Sequence, residues 1–336
     1  MVIEVTRPNV LVLASDVLFQ HFFSDESLRK LDEVASWARS ALREDSAELR
    51  KEIANADVLV TTWHSPFITA GMLGENARVK LIAHCGGEVK SRVAEDVFET
   101  VTITNAADPM ARGVAEMALA LMLAMVRRIP DYATEMRAGV TRTNEYVSEG
   151  ETLFGRSVGV VGFGRIGHAF ARLLKPLGVD VLVSDPYARA ESAAACDAKL
   201  VQLDELVRTC SVVVLCAALT PETRGMFDHR RLSLLRDGSC LINVARGGLI
   251  DLEALLSELR NGRISVALDV TDPLEPLPPD HELRKLPNVI LTPHIAAGGI
   301  EVRREMGALA VAEVVRFAKG EPPLNRVTKE MLATMT

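Results

Sequence analysis

The run Gly162-Phe163-Gly164-Arg165-Ile166-Gly167 constrains this chain more than any other stretch, because of what flanks it. Ser157 to Val161 ahead of it reads as a strand, and AFARLLKPLG behind it reads as a helix. At this spacing the first glycine permits a tight turn and the second lets a pyrophosphate approach backbone N–H groups. The third lets the helix pack closely. Asp185 follows twenty-three residues beyond Gly162, at the end of VDVLVSD. A carboxylate there can accept hydrogen bonds from both adenosine ribose hydroxyls, and it repels the additional phosphate of NADP. The expectation is an α/β domain binding NAD(H) in preference to NADP(H), with Gly162, Gly164, Arg165, Ile166, Gly167 and Asp185 on the cofactor. Arg165 has a competing reading as a solvent-facing side chain beside a turn.

The alternation continues on both sides. SVVVLCA, CLINVARGG, ISVALDV and NVILTPH follow the glycine run, while NVLVLAS, ADVLVTT, VKLIAH and TVTIT form an earlier set. A length of 336 residues exceeds what one hydrophobic core usually serves, so two α/β domains with parallel sheets are expected. Leu28, Leu31, Val34 and Trp37 recur at helical spacing after a possible N-cap at Ser24. Residues 111 to 128 form a long apolar helix that must pack between domains or on a second subunit, the latter arguing for a homodimer. A polar stretch containing Arg142 then leads to the second strand set, and an amphipathic run from Glu301 through Phe317 docks back onto a domain face.

Several classes are disfavoured. Thirty-eight basic against 45 acidic residues leave a formal charge of -7, which gives no bulk attraction for nucleic acid or an anionic bilayer. Cys85, Cys196, Cys210, Cys216 and Cys240 show no CxxC spacing, and the seven histidines are dispersed, so neither a disulfide scaffold nor a metal site is expected. No basic n-region precedes a long apolar segment, and LALMLAM is flanked too closely by polar residues to reach the roughly 20 needed to span a bilayer. A cytoplasmic protein is expected.

Three polar elements end later strands: Arg246 after LINVA, the acidic region Asp269 to Glu275 after ISVAL, and His294 after VILTP. In open α/β sheets ligands collect outside the carboxyl ends of the strands. Reducing a 2-oxo acid needs a cation for the carboxylate and a proton for the carbonyl oxygen as hydride reaches carbon. Arg246 can grip the carboxylate and polarise the carbonyl, and His294 can exchange the proton. Glu275 can hydrogen-bond the other ring nitrogen of the histidine.

Taken together, LIAHCGG, ARGVAEMALALMLAMVRR, LFGRSVGVVGFGRIG, LTPETRG, LINVARGGLID, ALDVTDPLEPLP and LPNVILTPHIAAGG resemble the D-isomer-specific 2-hydroxyacid dehydrogenases over nearly the whole chain. The resemblance implies two Rossmann-like domains enclosing an active-site cleft. It assigns 1–106 plus 297–336 to a substrate-binding domain and 107–296 to an NAD-binding domain. It also implies Arg246 as the substrate arginine, His294 as the acid/base and Glu275 as its partner. Asp269 would lie near the nicotinamide, Thr220 of LTPETRG on the cofactor, and the backbone of Gly86 and Gly87 on the substrate carboxylate. His84 and Cys85 line that loop or serve turn support and packing. Glu275 stands one residue further from Asp269 than the family pattern places it, which leaves Asp272 as the alternative partner.

The activity implied is reversible hydride transfer between NAD(H) and a small 2-hydroxy acid or its 2-oxo acid. An alternative is an NAD(H)-responsive, dehydrogenase-like interaction or corepressor module. A third is an epimerase or hydrolase that uses bound NAD transiently.

Overall fold

The computed structural model describes residues 7–74, 77–140 and 150–335, and every count below refers to those. Arg142 lies outside the described residues. The chain divides into two compact units, one of Met1–Met110 with Ala297–Thr336, the other Ala111–Ala296.

In the first unit, strands β1 (Asn9–Leu13), β2 (Ser36–Ser40), β3 (Val58–Thr61), β4 (Leu81–His84) and β5 (Thr102–Thr104) are parallel, in the order β5-β4-β3-β1-β2. Burial on both faces explains why β1, β3 and β4 read as unbroken apolar runs rather than as alternating ones. The Ile300–Ala318 helix packs on this sheet through Met306, Ala310, Val311 and Val314. It approaches the Asp16–Phe22 helix so closely that a Cβ on Gly307 would stand 1.9 Å from the Phe22 carbonyl oxygen. Buried Glu313 accepts hydrogen bonds from the backbone N–H groups of Leu324 and Asn325 and from the Asn325 side chain. Those bonds fix the returning chain.

The helical spacing that included Trp37 does not hold through that residue. The helix is Asp25–Val34, capped by Ser24 accepting from the Ser27 N–H, and Trp37 lies in β2 opposite Val10. Ladder bonds to β1 outweigh the local periodicity, while the indole still reaches the core edge, stacked 5.9 Å from Phe19.

The second unit carries β6 (Ser157–Val161), β7 (Asp180–Ser184), β8 (Ala198–Leu200), β9 (Val212–Leu215), β10 (Cys240–Asn243), β11 (Ser265–Leu268) and β12 (Val289–Leu291). All are parallel, in the order β12-β11-β10-β9-β6-β7-β8. Chain order reverses between β6 and β9, so the crevice at their carboxyl ends is where an open sheet receives a ligand. A last short strand, β13 (Arg326–Val327), runs antiparallel to β5 in the first unit.

The Ala107–Val126 helix is longer than its sequence flanks indicate. At 20 residues it is long and apolar enough, by length and composition alone, to cross a membrane, which corrects the reading that this run is too short. Its Ala115, Ala118 and Met122 are nonetheless fully buried in protein, as in a core helix.

Candidate active site

The glycine turn sits at the reversal point. Gly162 has φ +90°, and a Cβ there would meet the Ala217 backbone at 2.4 Å. A Cβ on Gly167 would lie 2.2 Å from the Gly162 carbonyl oxygen, so the helix Arg165–Leu174 can rest on the turn only through glycine. Gly164 is different: nothing lies within 4 Å of its Cβ position, and the helix it begins has no side-chain cap. An uncapped N-terminus with open space before it presents N–H groups to an anion. Asp185, just past β7, accepts from Phe163 N–H at 2.6 Å and Tyr187 N–H at 2.8 Å, which ties the second strand end to the turn. These residues fit a dinucleotide. Arg165 is exposed at the helix start, Ile166 is half-buried, and Thr220 is braced by Thr223 after β9, its N–H donating to Thr223 Oγ1 at 2.8 Å.

His168 was not singled out from sequence. Its Nδ1 lies 3.0 Å from the Gly164 carbonyl oxygen and its Nε2 2.6 Å from Ser192 Oγ, while its ring covers Phe163. Its place in the first turn after the glycine run was the available signal.

Three adjacent strand ends bring the reaction residues to one edge. Asn243, Leu268 and Leu291 are in register across β10, β11 and β12, and Arg246, Asp269 and His294 follow them. Buried Asn243, another residue sequence reasoning passed over, shapes the Arg246 turn by accepting from Ala245 N–H and donating to the Arg246 carbonyl. The Arg246 guanidinium donates to the Ala245 carbonyl at 2.7 Å. A Cβ on Gly247 would strike the Thr271 backbone at 2.1 Å, so the arginine turn and the acidic loop pass in direct contact.

His294 Nδ1 stands 2.9 Å from Glu275 Oε2, and Glu275 Oε1 accepts from Thr271 N–H at 3.3 Å. Asp272 instead pairs with Arg224 at 3.3 Å. The longer spacing after Asp269 is taken up inside the loop, where Thr271 Oγ1 donates to the Leu274 carbonyl. His294 itself has φ +52°, a left-handed conformation that a histidine adopts at some cost.

Asp269 explains how that conformation is held. Its side chain is buried and accepts from Thr292 Oγ1 at 2.5 Å, Ile295 N–H at 3.0 Å and Ala296 N–H at 2.9 Å, while its carbonyl accepts from His294 N–H. In this arrangement the aspartate engages the histidine loop rather than merely flanking a cofactor.

In the first unit, the carbonyls of Gly86 and Gly87 are taken by Ala106 N–H and the Asn105 amide. Their own N–H groups make no hydrogen bond among the described residues. A Cβ on Gly86 would strike His84, and one on Gly87 would strike Met110. His84 Nδ1 bonds Thr61 Oγ1 at 2.9 Å, and burial pushes its pKa down to about 3, so the ring is neutral. Burial also pushes the Cys85 thiol well above its ordinary range, which suits packing. No group of metal-ligating side chains occurs among the described residues.

Comparisons with known proteins identify the family. The sequence profile of the D-isomer specific 2-hydroxyacid dehydrogenase NAD binding domain matches residues 119–296. A glyoxylate reductase from Thermococcus onnurineus is 34% identical over 318 residues, covering 91% of this chain and 92% of the relative. A D-3-phosphoglycerate dehydrogenase from Methanocaldococcus jannaschii is 31% identical over 93% of this chain, which spans 58% of that longer protein. Among solved structures, the TT0316 protein of Thermus thermophilus superposes with a TM-score of 0.79 at 31% identity, covering 95% of this chain and 100% of that one. A 2-hydroxyacid dehydrogenase from Ketogulonicigenium vulgare gives 0.76 at 28%, covering 96% and 99%. With its dinucleotide turn and its strand-end residues in place, the chain belongs to the D-isomer-specific 2-hydroxyacid dehydrogenase family, oxidoreductases that exchange hydride between NAD(H) and a hydroxy acid/oxo acid pair.

Proposed function

We propose that the chain reduces a small 2-oxo acid reversibly, with Arg246 on the substrate, His294 as proton donor and Glu275 as the carboxylate that orients it. The hydrogen bond of 2.9 Å between His294 Nδ1 and Glu275 Oε2 carries this reading. It commits Nδ1 to the carboxylate and leaves Nε2 for proton exchange with the substrate oxygen. NADH, when bound, supplies the hydride. Arg246 draws negative charge onto the carbonyl oxygen and fixes the carboxylate, and His294 delivers the proton to that oxygen, so that the oxo acid gains one hydride and one proton. In the reverse direction His294 takes the hydroxyl proton. Gly86 and Gly87 offer N–H groups to the substrate carboxylate in this reading. Retention of the His294–Glu275 pair favours an enzyme over a nucleotide-responsive interaction module.

Replacing His294 with alanine tests it. NADH-dependent reduction of glyoxylate, pyruvate or hydroxypyruvate should fall by roughly a hundredfold or more, the usual worth of a positioned acid/base. NADH binding, followed by fluorescence, should persist. Undiminished turnover would remove the histidine from the mechanism.

Asp185 supports preference for NADH over NADPH, because its carboxylate stands beside the glycine turn, where it would accept from the ribose hydroxyls and repel a further phosphate. A ratio of kcat/KM for the two cofactors near unity would count against that assignment. A cytoplasmic homodimer without nucleic-acid or membrane partners completes the proposal. The exposed Ile129 and Met136 on the Ile129–Arg137 helix and the free cysteines support it, and solution mass and cell fractionation check it.

A further inference from the structure

Arg303 of the first unit has no part in the chemistry above. It lies in the first turn of the Ile300–Ala318 helix, with its guanidinium carbon 5.1 Å from the centroid of the Trp63 ring. Its Nη1 donates to His21 Nδ1 at 2.7 Å, and its Nε is buried with no hydrogen-bond partner. Its partners among the described residues are thus a histidine ring nitrogen and an aromatic face, and it forms no ion pair with a carboxylate there.

The Nε1 edge of the same indole reaches the glycine loop. Trp63 Nε1 would stand 3.1 Å from a Cβ on Gly86, beside His84 Nε2, which is fully buried and also without a partner. The ring is braced edge-on by Phe22 at 5.1 Å. Gly86, Trp63 and Arg303 therefore form one continuous row within the first unit. Arginine on an aromatic face keeps its planar fork oriented, which is the geometry that takes a carboxylate or phosphate. Neutral His84 brings no competing charge to the row.

We propose that Arg303, held against Trp63, is a specificity-determining residue, and that the preferred substrate is a 2-oxo acid carrying a second anionic group beyond its carbonyl. This rests on the assignment of Gly86 and Gly87 to the first carboxylate. The second group is a carboxylate or a phosphate, and Trp63 is the apolar wall between the two anionic ends.

Initial rates of NADH oxidation by the purified full chain test the inference. The probes are oxaloacetate and 3-phosphohydroxypyruvate, set against 2-oxobutyrate and hydroxypyruvate. The doubly anionic probes should be favoured, and whichever of the two leads identifies the group as carboxylate or phosphate. Arg303→Met keeps the stem on Trp63 and should lower the dianion-to-monoanion ratio of kcat/KM by roughly tenfold or more, mainly through KM. Arg303→Lys should restore part of the ratio. A ratio unchanged in both folded variants would overturn the role of Arg303 while leaving the dehydrogenase reading intact. Failure of the wild-type chain to reduce any 2-oxo acid while binding NADH would overturn the underlying reading and this inference with it.

Discussion

Replacing Asp269 with asparagine separates two roles for this carboxylate, because both of its oxygens are committed to the loop that carries His294. Oδ1 accepts from Thr292 Oγ1 and Ile295 N–H, and Oδ2 accepts from Ala296 N–H. An asparagine oxygen can take only one of those places. With it at Oδ1, the amide NH2 faces the Ala296 N–H, donor against donor. With it at Oδ2, two donors lose their acceptor. The better placement loses one buried charge-assisted bond, about 1.5 to 3 kcal/mol, and leaves an unsatisfied N–H, about 1 to 3 kcal/mol. Relaxation of the loop relieves part of this, so a local loss of about 2 to 4 kcal/mol is expected.

That is enough to release His294 from its φ of +52°, a conformation held only by its surroundings. Misplacing an acid by about an ångström can cost roughly a hundredfold in rate. Native-state hydrogen exchange should therefore show faster exchange at Ile295 and Ala296, together with a large fall in kcat and little change in the KM for NADH. Wild-type protection at those amides, combined with a raised KM for NADH, would refute the loop-holding role and return Asp269 to the cofactor.

Glycines 162 and 164 should respond oppositely to alanine. Gly164→Ala should fold with near-native stability and bind NADH less tightly, because only ligand space is filled, whereas Gly162→Ala should destabilise the second unit; denaturant titration and NADH titration separate the two. Gly307→Ala should destabilise the first unit by about 1 to 3 kcal/mol, since its Cβ would meet a backbone oxygen that cannot swing aside; an unaltered denaturation midpoint would contradict the close helix approach. Acid should weaken the first unit through His84. Its folded pKa, about 3, lies below the ordinary value of 6.5, so the unfolded chain binds the extra proton between those values. The histidine's contribution is complete above pH 6.5 and is lost as pH falls toward 3, at up to about 1.4 kcal/mol per unit. His84→Asn should flatten that slope, measured as stability against pH.

The strand, turn and helix of residues 157–174 were legible because the information is local. Gly162 answers to its own φ of +90°, Gly164 to open ligand space and Gly167 to the Gly162 carbonyl, whereas the approach of the Ala217 backbone to Gly162 is a long-range contact that only the fold reveals. The alternation of apolar runs likewise announced parallel sheets, since strands buried on both faces must be apolar throughout. Edge strand β2 was not legible. Its SWARS sequence is half exposed, and its pairing with β1 depends on a neighbour far along the chain.

Sequence by itself determined the α/β class, the dinucleotide turn and the presence of Arg246 and His294 after strands, because periodicity and glycine spacing act over short range. Only the tertiary structure decided between Glu275 and Asp272, since that choice depends on Arg224 engaging Asp272 and on Thr271 bracing Glu275. It also decided that Asp269 holds the histidine loop, and that Arg303, Trp63 and Gly86 stand in one row. Those relations join residues far apart in the chain, where spacing carries no distance information and hydrogen bonding and close packing select the partner.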